Sequence, residues 1–159
     1  MNRQEYTNEQ ENKKAVSAAM QLLLCRQRTE KELRRRLQEK GFSEEAEEEA
    51  IAYVRSFGYL NDRNYAEVYL HSQQQKKSRS LIRKELLEKG VAAEWIDEAF
   101  AGEEAGEGEV IYGLLCKRAG EPHVLEEKER NRQLRYLSGK GFSVSEIWKQ
   151  MRRYEEKTL

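Results

Sequence analysis

Five cations, Lys76, Lys77, Arg79, Arg83 and Lys84, occupy a stretch with no carboxylate between Glu67 and Glu85. Ser72, Gln73, Gln74, Gln75, Ser78 and Ser80 surround them with neutral hydrogen-bonding groups. Positive charge mixed with hydroxyls and amides suits the holding of phosphates or of an acidic protein groove, and makes or breaks no bonds. A solvated basic loop leading into a helix is the alternative, and the residues alone leave it open. Arg83 follows Arg79 by four residues, so on a helix the two share a face and repel unless an anion lies between them. A second cationic group, Lys149, Arg152 and Arg153, sits near the chain's end beside Trp148 and Tyr154. Those aromatics read as core, because Trp148 adjoins Ile147 and lies one turn before Met151, while the arginines read as outward. Arg34-Arg35-Arg36 is different again. Glu30 and Glu32 stand four residues ahead of Arg34 and Arg36, the favourable order for pairs within a helix, so this run reads as a self-neutralised solvent face.

Chemistry at a catalytic centre has little support. His71 and His123 are the only histidines, and neither stands at metal-ligand spacing from a cysteine or from the other. No phosphate-binding Gly-x-x-x-x-Gly-Lys loop occurs, and the acidic run Glu44 to Glu49 lacks the Asp/Asn alternation of a calcium loop. The expectation is a protein that is not an enzyme and uses no cofactor or metal. The overall balance of 29 Lys and Arg against 29 Asp and Glu is neutral, so contact with a polyanion requires local segregation of sign.

The elements that must position these cations are helical. With 36% charged and 38% apolar residues the chain cannot build one thick core, and a single proline, Pro122, with scattered Val and Ile argues against β structure. A Lys-Gly pair follows a leucine-rich stretch three times, at Lys40-Gly41, Lys89-Gly90 and Lys140-Gly141, the glycines 49 and 51 residues apart. A period of this length marks a degenerate tandem array of small helical units with a shared core. Each unit reads as three short helices. In the first, Ala15, Ala18, Ala19, Leu22 and Leu23 open on one face, and narrow alanine stripes permit close helix approach. Thr29 and Glu32 form a capping box, Leu33 and Leu37 point inward, Gly41 ends the helix, and Ser43 caps a third that carries Ala46, Ala50, Ile51 and Val54. Tyr65, Ala66, Tyr69 and Leu70, then Leu81, Ile82, Leu86 and Leu87, then Trp95, Ile96, Ala99 and Phe100 repeat the order. Val110, Ile111, Leu114 and Leu115 begin the last unit, where Ser143 and Glu146 make another capping box.

The expected organisation is a polar N-terminal tail over 1–13, repeats over 14–60, 61–101 and 110–159, and an acidic glycine-containing linker over 102–109. A helix-turn-helix reading fails for the first two repeats, whose third helices begin with carboxylates, and only the last helix has a sign compatible with DNA. Cys25 and Cys116 close leucine clusters and read as buried free thiols. No segment is long and apolar enough to span a membrane or serve as a secretory signal, so a cytoplasmic location is expected.

The string Gly58-Tyr59-Leu60-Asn61-Asp62-Arg63-Asn64-Tyr65-Ala66, with Thr29-Glu30-Lys31-Glu32-Leu33 and Lys40-Gly41-Phe42 before it, resembles the RecX family of bacterial regulators of the RecA recombinase. The resemblance runs from about Ala15 to Tyr154 and is strongest in the first two repeats. It implies a curved, elongated array of three-helix repeats without catalytic activity, most members inhibitory, that binds the RecA filament on single-stranded DNA along its groove. Direct DNA contact, known for some members, is a further implied partner, and a monomer is expected. Tyr59, Leu60, Asp62, Tyr65 and Ala66 match the family signature. They read physically as a joint in which Gly58 ends one helix, Asn61 or Asp62 caps the next, and the tyrosines pack the corner between repeats. Where the family often carries glycine after the second repeat's first helix, Ser78 and Ser80 stand here.

Overall fold

Most helices form where the sequence supplies a capping side chain, an apolar stripe or both, and the computed structural model, described over residues 2–101 and 106–157, contains nine of them and no strand among the described residues. The first begins earlier than expected. Asn2 Oδ1 accepts the Glu5 N–H at 2.8 Å while the Glu5 carboxylate accepts the Asn2 N–H at 2.9 Å, and this reciprocal cap starts α1 at Arg3 and carries it to Cys25. The segment expected as a polar tail is therefore helix. Glu11 on it accepts the Ser43 N–H at 2.8 Å, holding the start of the third helix. Cys25, the last residue of α1, is exposed and Cys116 half-buried, both with free thiols, which corrects the expectation that both are buried.

The remaining helices are α2 (Glu30–Glu39), α3 (Glu44–Ser56), α4 (Asp62–Gln73), α5 (Arg79–Glu88), α6 (Ala93–Phe100), α7 (Glu107–Ala119), α8 (Glu127–Gly139) and α9 (Val144–Glu156). Residues 102–105 of the expected linker lie outside the described residues, and Glu107 to Glu109 form the first turn of α7 instead. The periodic glycines end α2, α5 and α8 in the same way. Gly41, Gly90 and Gly141 have φ of +86°, +89° and +89°. In each case the residue after the glycine donates its N–H back to the last buried leucine of the helix: Phe42 to Leu37, Val91 to Leu86, Phe142 to Leu137.

The chain packs as two compact units, Met1–Val68 with Leu86–Phe100, and Tyr69–Glu85 with Ala101–Leu159, the boundary falling within α4 and within α5. In the first, α1 packs chiefly on α3, where Ala15 and Ala19 face a layer that includes Ala46 and Ala50, and small side chains on both helices let the backbones close up. Leu22, Leu33, Leu37, Ile51, Val54 and Leu60 fill the rest. In the second, α7 packs on α9 around Ile111, Leu115, Leu137, Ile147, Met151 and the fully buried Tyr154, with Trp148 packed partly against them. The connection between α7 and α8, residues 120–126, is longer than that between α1 and α2, residues 26–29. The Tyr154 hydroxyl stands 2.9 Å from both the Gly120 and Glu121 carbonyls and fastens it.

Candidate functional site

Two joints built to one plan hold the helices that carry the candidate residues. A helix start leaves N–H groups without partners and a helix end leaves carbonyls, and each joint supplies partners for both. In the first unit, Thr29 caps α2, its hydroxyl accepting from the Glu32 N–H at 3.2 Å and donating to the Lys89 carbonyl at 2.6 Å. The Glu30 N–H next to it donates to Asp62 Oδ1 at 2.9 Å. In the second unit, Ser78 caps α5 by accepting the Leu81 N–H at 3.0 Å, and its own N–H donates to the Lys140 carbonyl at 2.9 Å. The Arg79 N–H donates to Glu107 Oε1 at 2.7 Å. The carboxylate in both cases belongs to the first residue of a following helix, Asp62 of α4 and Glu107 of α7, and the carbonyl to the lysine of a Lys-Gly pair.

This places the signature residues. Gly58 has φ +75° and ends α3; Leu60 and Ala66 are buried and Tyr65 is half-buried. Asn61 caps α4, its Oδ1 accepting the Asn64 N–H at 3.1 Å, which frees Asp62 to bond α2. Tyr59 departs from expectation: it is exposed and does not pack the corner. Asp62 lines a surface cleft of about 540 Å³ with Glu30, Arg55, Arg63 and Trp95. Arg55 pairs with Glu30 and Arg63 with Glu98, and the Arg63 guanidinium sits 5.5 Å from the Trp95 ring centre, so these charges are compensated locally.

Burial pushes the Asp62 carboxyl up to about 6, with Arg55 opposing the shift and Glu32 adding to it. The folded value lies above the ordinary 3.8, so the stabilisation from protonated Asp62 is complete below pH 3.8 and is lost as pH rises through 6. Asp62→Asn keeps an acceptor for the Glu30 N–H without the charge. The melting temperature of the variant relative to wild type is expected to climb between pH 4.5 and 7.5, and a difference that stays constant over that range would remove Asp62 from the pH dependence.

The cations divide sharply by setting. Lys76, Lys84 and Arg152 are exposed. Lys77 is held by Glu85 at 2.9 and 2.8 Å, with the Tyr69 hydroxyl on the same carboxylate at 3.0 Å, so the acid that ends the uncompensated stretch folds back onto it. Arg79 and Arg83 are half-buried. Arg153 bonds Glu109 at 2.8 Å and lies 4.1 Å from the Tyr112 ring centre, which makes it a packing residue first. Arg152 and Lys149 line an open groove of about 530 Å³ along α9 with Ser145, Arg153 and Glu156. The Arg34-Arg35-Arg36 run is self-neutralised as expected: Arg34 meets Glu30, Glu47 and Glu48, and Arg35 and Arg36 both reach Glu39. Glu32 is drawn to the Thr29 cap and to Arg26 and does not pair with Arg36.

Segregation of sign, which a neutral chain needs in order to hold a polyanion, is present. The residues of the second unit carry 16 Lys and Arg against 12 Asp and Glu, those of the first 13 against 17. Lys76, Lys77, Arg79, Arg83, Lys84, Arg152 and Arg153 all belong to the basic unit. Among the described residues no group of three His, Cys, Asp or Glu side chains is placed to hold a metal, and no helix is long and apolar enough to cross a membrane. Sequence reasoning missed the acids Asp62 and Glu107 as the mates of Glu30 and Arg79. The period relates only their donors, Thr29-Glu30 and Ser78-Arg79 being 49 residues apart, whereas Asp62 and Glu107 are 45 apart and carry no such signal.

Comparison with known proteins places this geometry. A family model described as RecX, first three-helix domain, matches residues 15–53, and one described as RecX, second three-helix domain, matches residues 61–99. The Regulatory protein RecX of Caldanaerobacter subterraneus subsp. tengcongensis is 34% identical over 147 residues, covering 91% of this chain and 72% of that protein. That of Amycolatopsis mediterranei is 37% identical over 139 residues, covering 84% and 79%. The crystal structure of RecX from Lactobacillus salivarius shares the fold, with a TM-score of 0.70 at 24% identity over 92% of this chain and 97% of that one.

Proposed function

The chain belongs to the RecX family of regulatory proteins, and from that premise we propose that it is a non-catalytic, inhibitory regulator of the RecA recombinase that binds the RecA filament on single-stranded DNA. The protein acts in the cytoplasm as a monomer built of three three-helix repeats, without cofactor or metal. Family membership supports the choice of partner. The observation that carries the mode of contact is the concentration of positive charge in one compact unit of a neutral chain, with Lys76, Lys84 and Arg152 exposed on it. Lys77, Arg79, Arg83 and Arg153 belong to the same unit but are half-buried, and Lys77 and Arg153 are already paired with Glu85 and Glu109.

Titrating the protein in parallel against RecA, bare single-stranded DNA and the preformed filament tests this. The filament should bind far more tightly than either component, and RecA ATP hydrolysis should fall as it saturates. Binding to bare DNA that equals filament binding and weakens steeply with salt would replace the proposal with a DNA-binding protein that meets RecA only through a shared strand.

A further inference from the structure

Three aromatic side chains stand in series on the outside of the acidic unit. Tyr53, on the last turns of α3, has its ring centre 4.9 Å from that of Phe57, and Phe57 stacks on Tyr59 at 6.0 Å with the planes 19° apart. Their relative exposures are 44%, 59% and 55%. Backbone geometry sets this ladder: Phe57 closes α3, Gly58 reverses the chain at φ +75°, and the Tyr59 N–H returns to the Val54 carbonyl at 2.9 Å. Leu60, next along, is buried, so the turn sorts alternate residues to opposite sides. Isolated exposed apolar residues are ordinary, but three contiguous aromatic rings carry a large, rigid apolar area, the kind that dominates binding energy when covered.

The charges nearby decide what covers it. Glu45 and Glu49 precede Tyr53 at four-residue steps on the same helix, both exposed and, among the described residues, neither in an ion pair. Glu48, close by, is already satisfied by Arg34. The unit as a whole has more carboxylates than cations. Bases can stack on aromatic rings, yet their phosphates would then meet this negative field, whereas nucleic-acid stacking surfaces interleave aromatics with cations. We propose that Tyr53, Phe57 and Tyr59, with Glu45 and Glu49, form a protein-docking ridge that takes an apolar groove rimmed by Lys and Arg. Resting on the reading above, the ridge engages the protein of the filament and the basic unit engages its phosphates, so the chain grips by two surfaces of opposite character.

The experiment compares wild type, a Tyr53→Ser/Phe57→Ser/Tyr59→Ser variant and a Glu45→Lys/Glu49→Lys variant for binding to the RecA filament and to bare single-stranded DNA. Circular dichroism and melting temperature accompany each, and the single Phe57→Ser variant replaces the triple one should it fail to fold. The expected result is at least a tenfold loss of filament affinity for the serine variant with bare-DNA affinity unchanged, and a weaker filament complex for the lysine variant with bare-DNA affinity equal or higher. Unchanged filament affinity, or a parallel loss on bare DNA, overturns the ridge as a protein-docking surface. Wild-type protein that binds DNA but no filament overturns the RecA reading itself, and with it the partner assigned here.

Discussion

Gly141→Ala is expected to destabilise the fold by about 3 kcal/mol or more, while Gly41→Ala costs about 1–2 kcal/mol. Both glycines have φ near +90°, so an L side chain is strained at either, and this common part sets the smaller figure. The difference comes from the joint. A Cβ on Gly41 meets nothing within 4 Å. A Cβ on Gly141 falls well inside contact distance of Ser78 Oγ and 2.8 Å from Leu81 Cβ, so Ser78 and the start of α5 must move and the bond from the Ser78 N–H to the Lys140 carbonyl is put at risk. Gly90 is the equivalent in the first unit, a Cβ there lying 2.5 Å from Lys31 Cβ, and Gly90→Ala should resemble Gly141→Ala. Chemical denaturation of the three single variants decides it. Equal losses at 41 and 141 would mean that the joint is not tightly packed. In a double-mutant cycle, Ser78→Ala should recover part of the Gly141→Ala loss, since it removes the closest obstructing atom although it also removes a cap.

Reversing three exposed cations of the basic unit in a Lys76→Glu/Lys84→Glu/Arg152→Glu variant should weaken binding to the RecA filament on the order of 100-fold, at about 1 kcal/mol for each reversed surface charge. Each is exposed and none is part of a core or a cap, so helicity and melting temperature should hold nearly constant. The slope of log affinity against log salt should flatten by roughly one for each phosphate that the variant no longer neutralises. Arg79 and Arg83 are poorer targets than their neighbours. They are half-buried at the start of α5, so their reversal would confound binding with folding. Full affinity and an unchanged salt slope in the triple variant would remove Lys76, Lys84 and Arg152 from the binding surface.

The helical class, the positions of the caps and the repeat were legible because each depends on residues within a few turns of one another. Thr29 with Glu32, Ser43 with the α3 N-terminus, and the glycines at 41, 90 and 141 act locally, and their residue types leave few conformations open. Errors arose where a local signal met a distant partner or lacked one. The segment up to residue 13 has no apolar stripe, yet its cap and polar helix formers make it helix. Tyr59 looked like a corner residue by type, but the turn at Gly58 turns it outward. Ser143 caps α9 by accepting the Glu146 N–H, while Glu146 accepts a bond from Gln150 in place of the return half of the box.

The candidate surface shows the same division. From the sequence alone came the two clusters of cations, the neutral total charge, and the demand that sign be segregated in space. Only the tertiary structure decided which cations remain available. Glu85 returns to Lys77, Glu109 reaches Arg153, and Lys76, Lys84 and Arg152 are left in solvent. Helix propensity and capping act over three or four residues and can be read along the chain, whereas a Coulomb interaction depends on distance through space, which only the packed backbone sets.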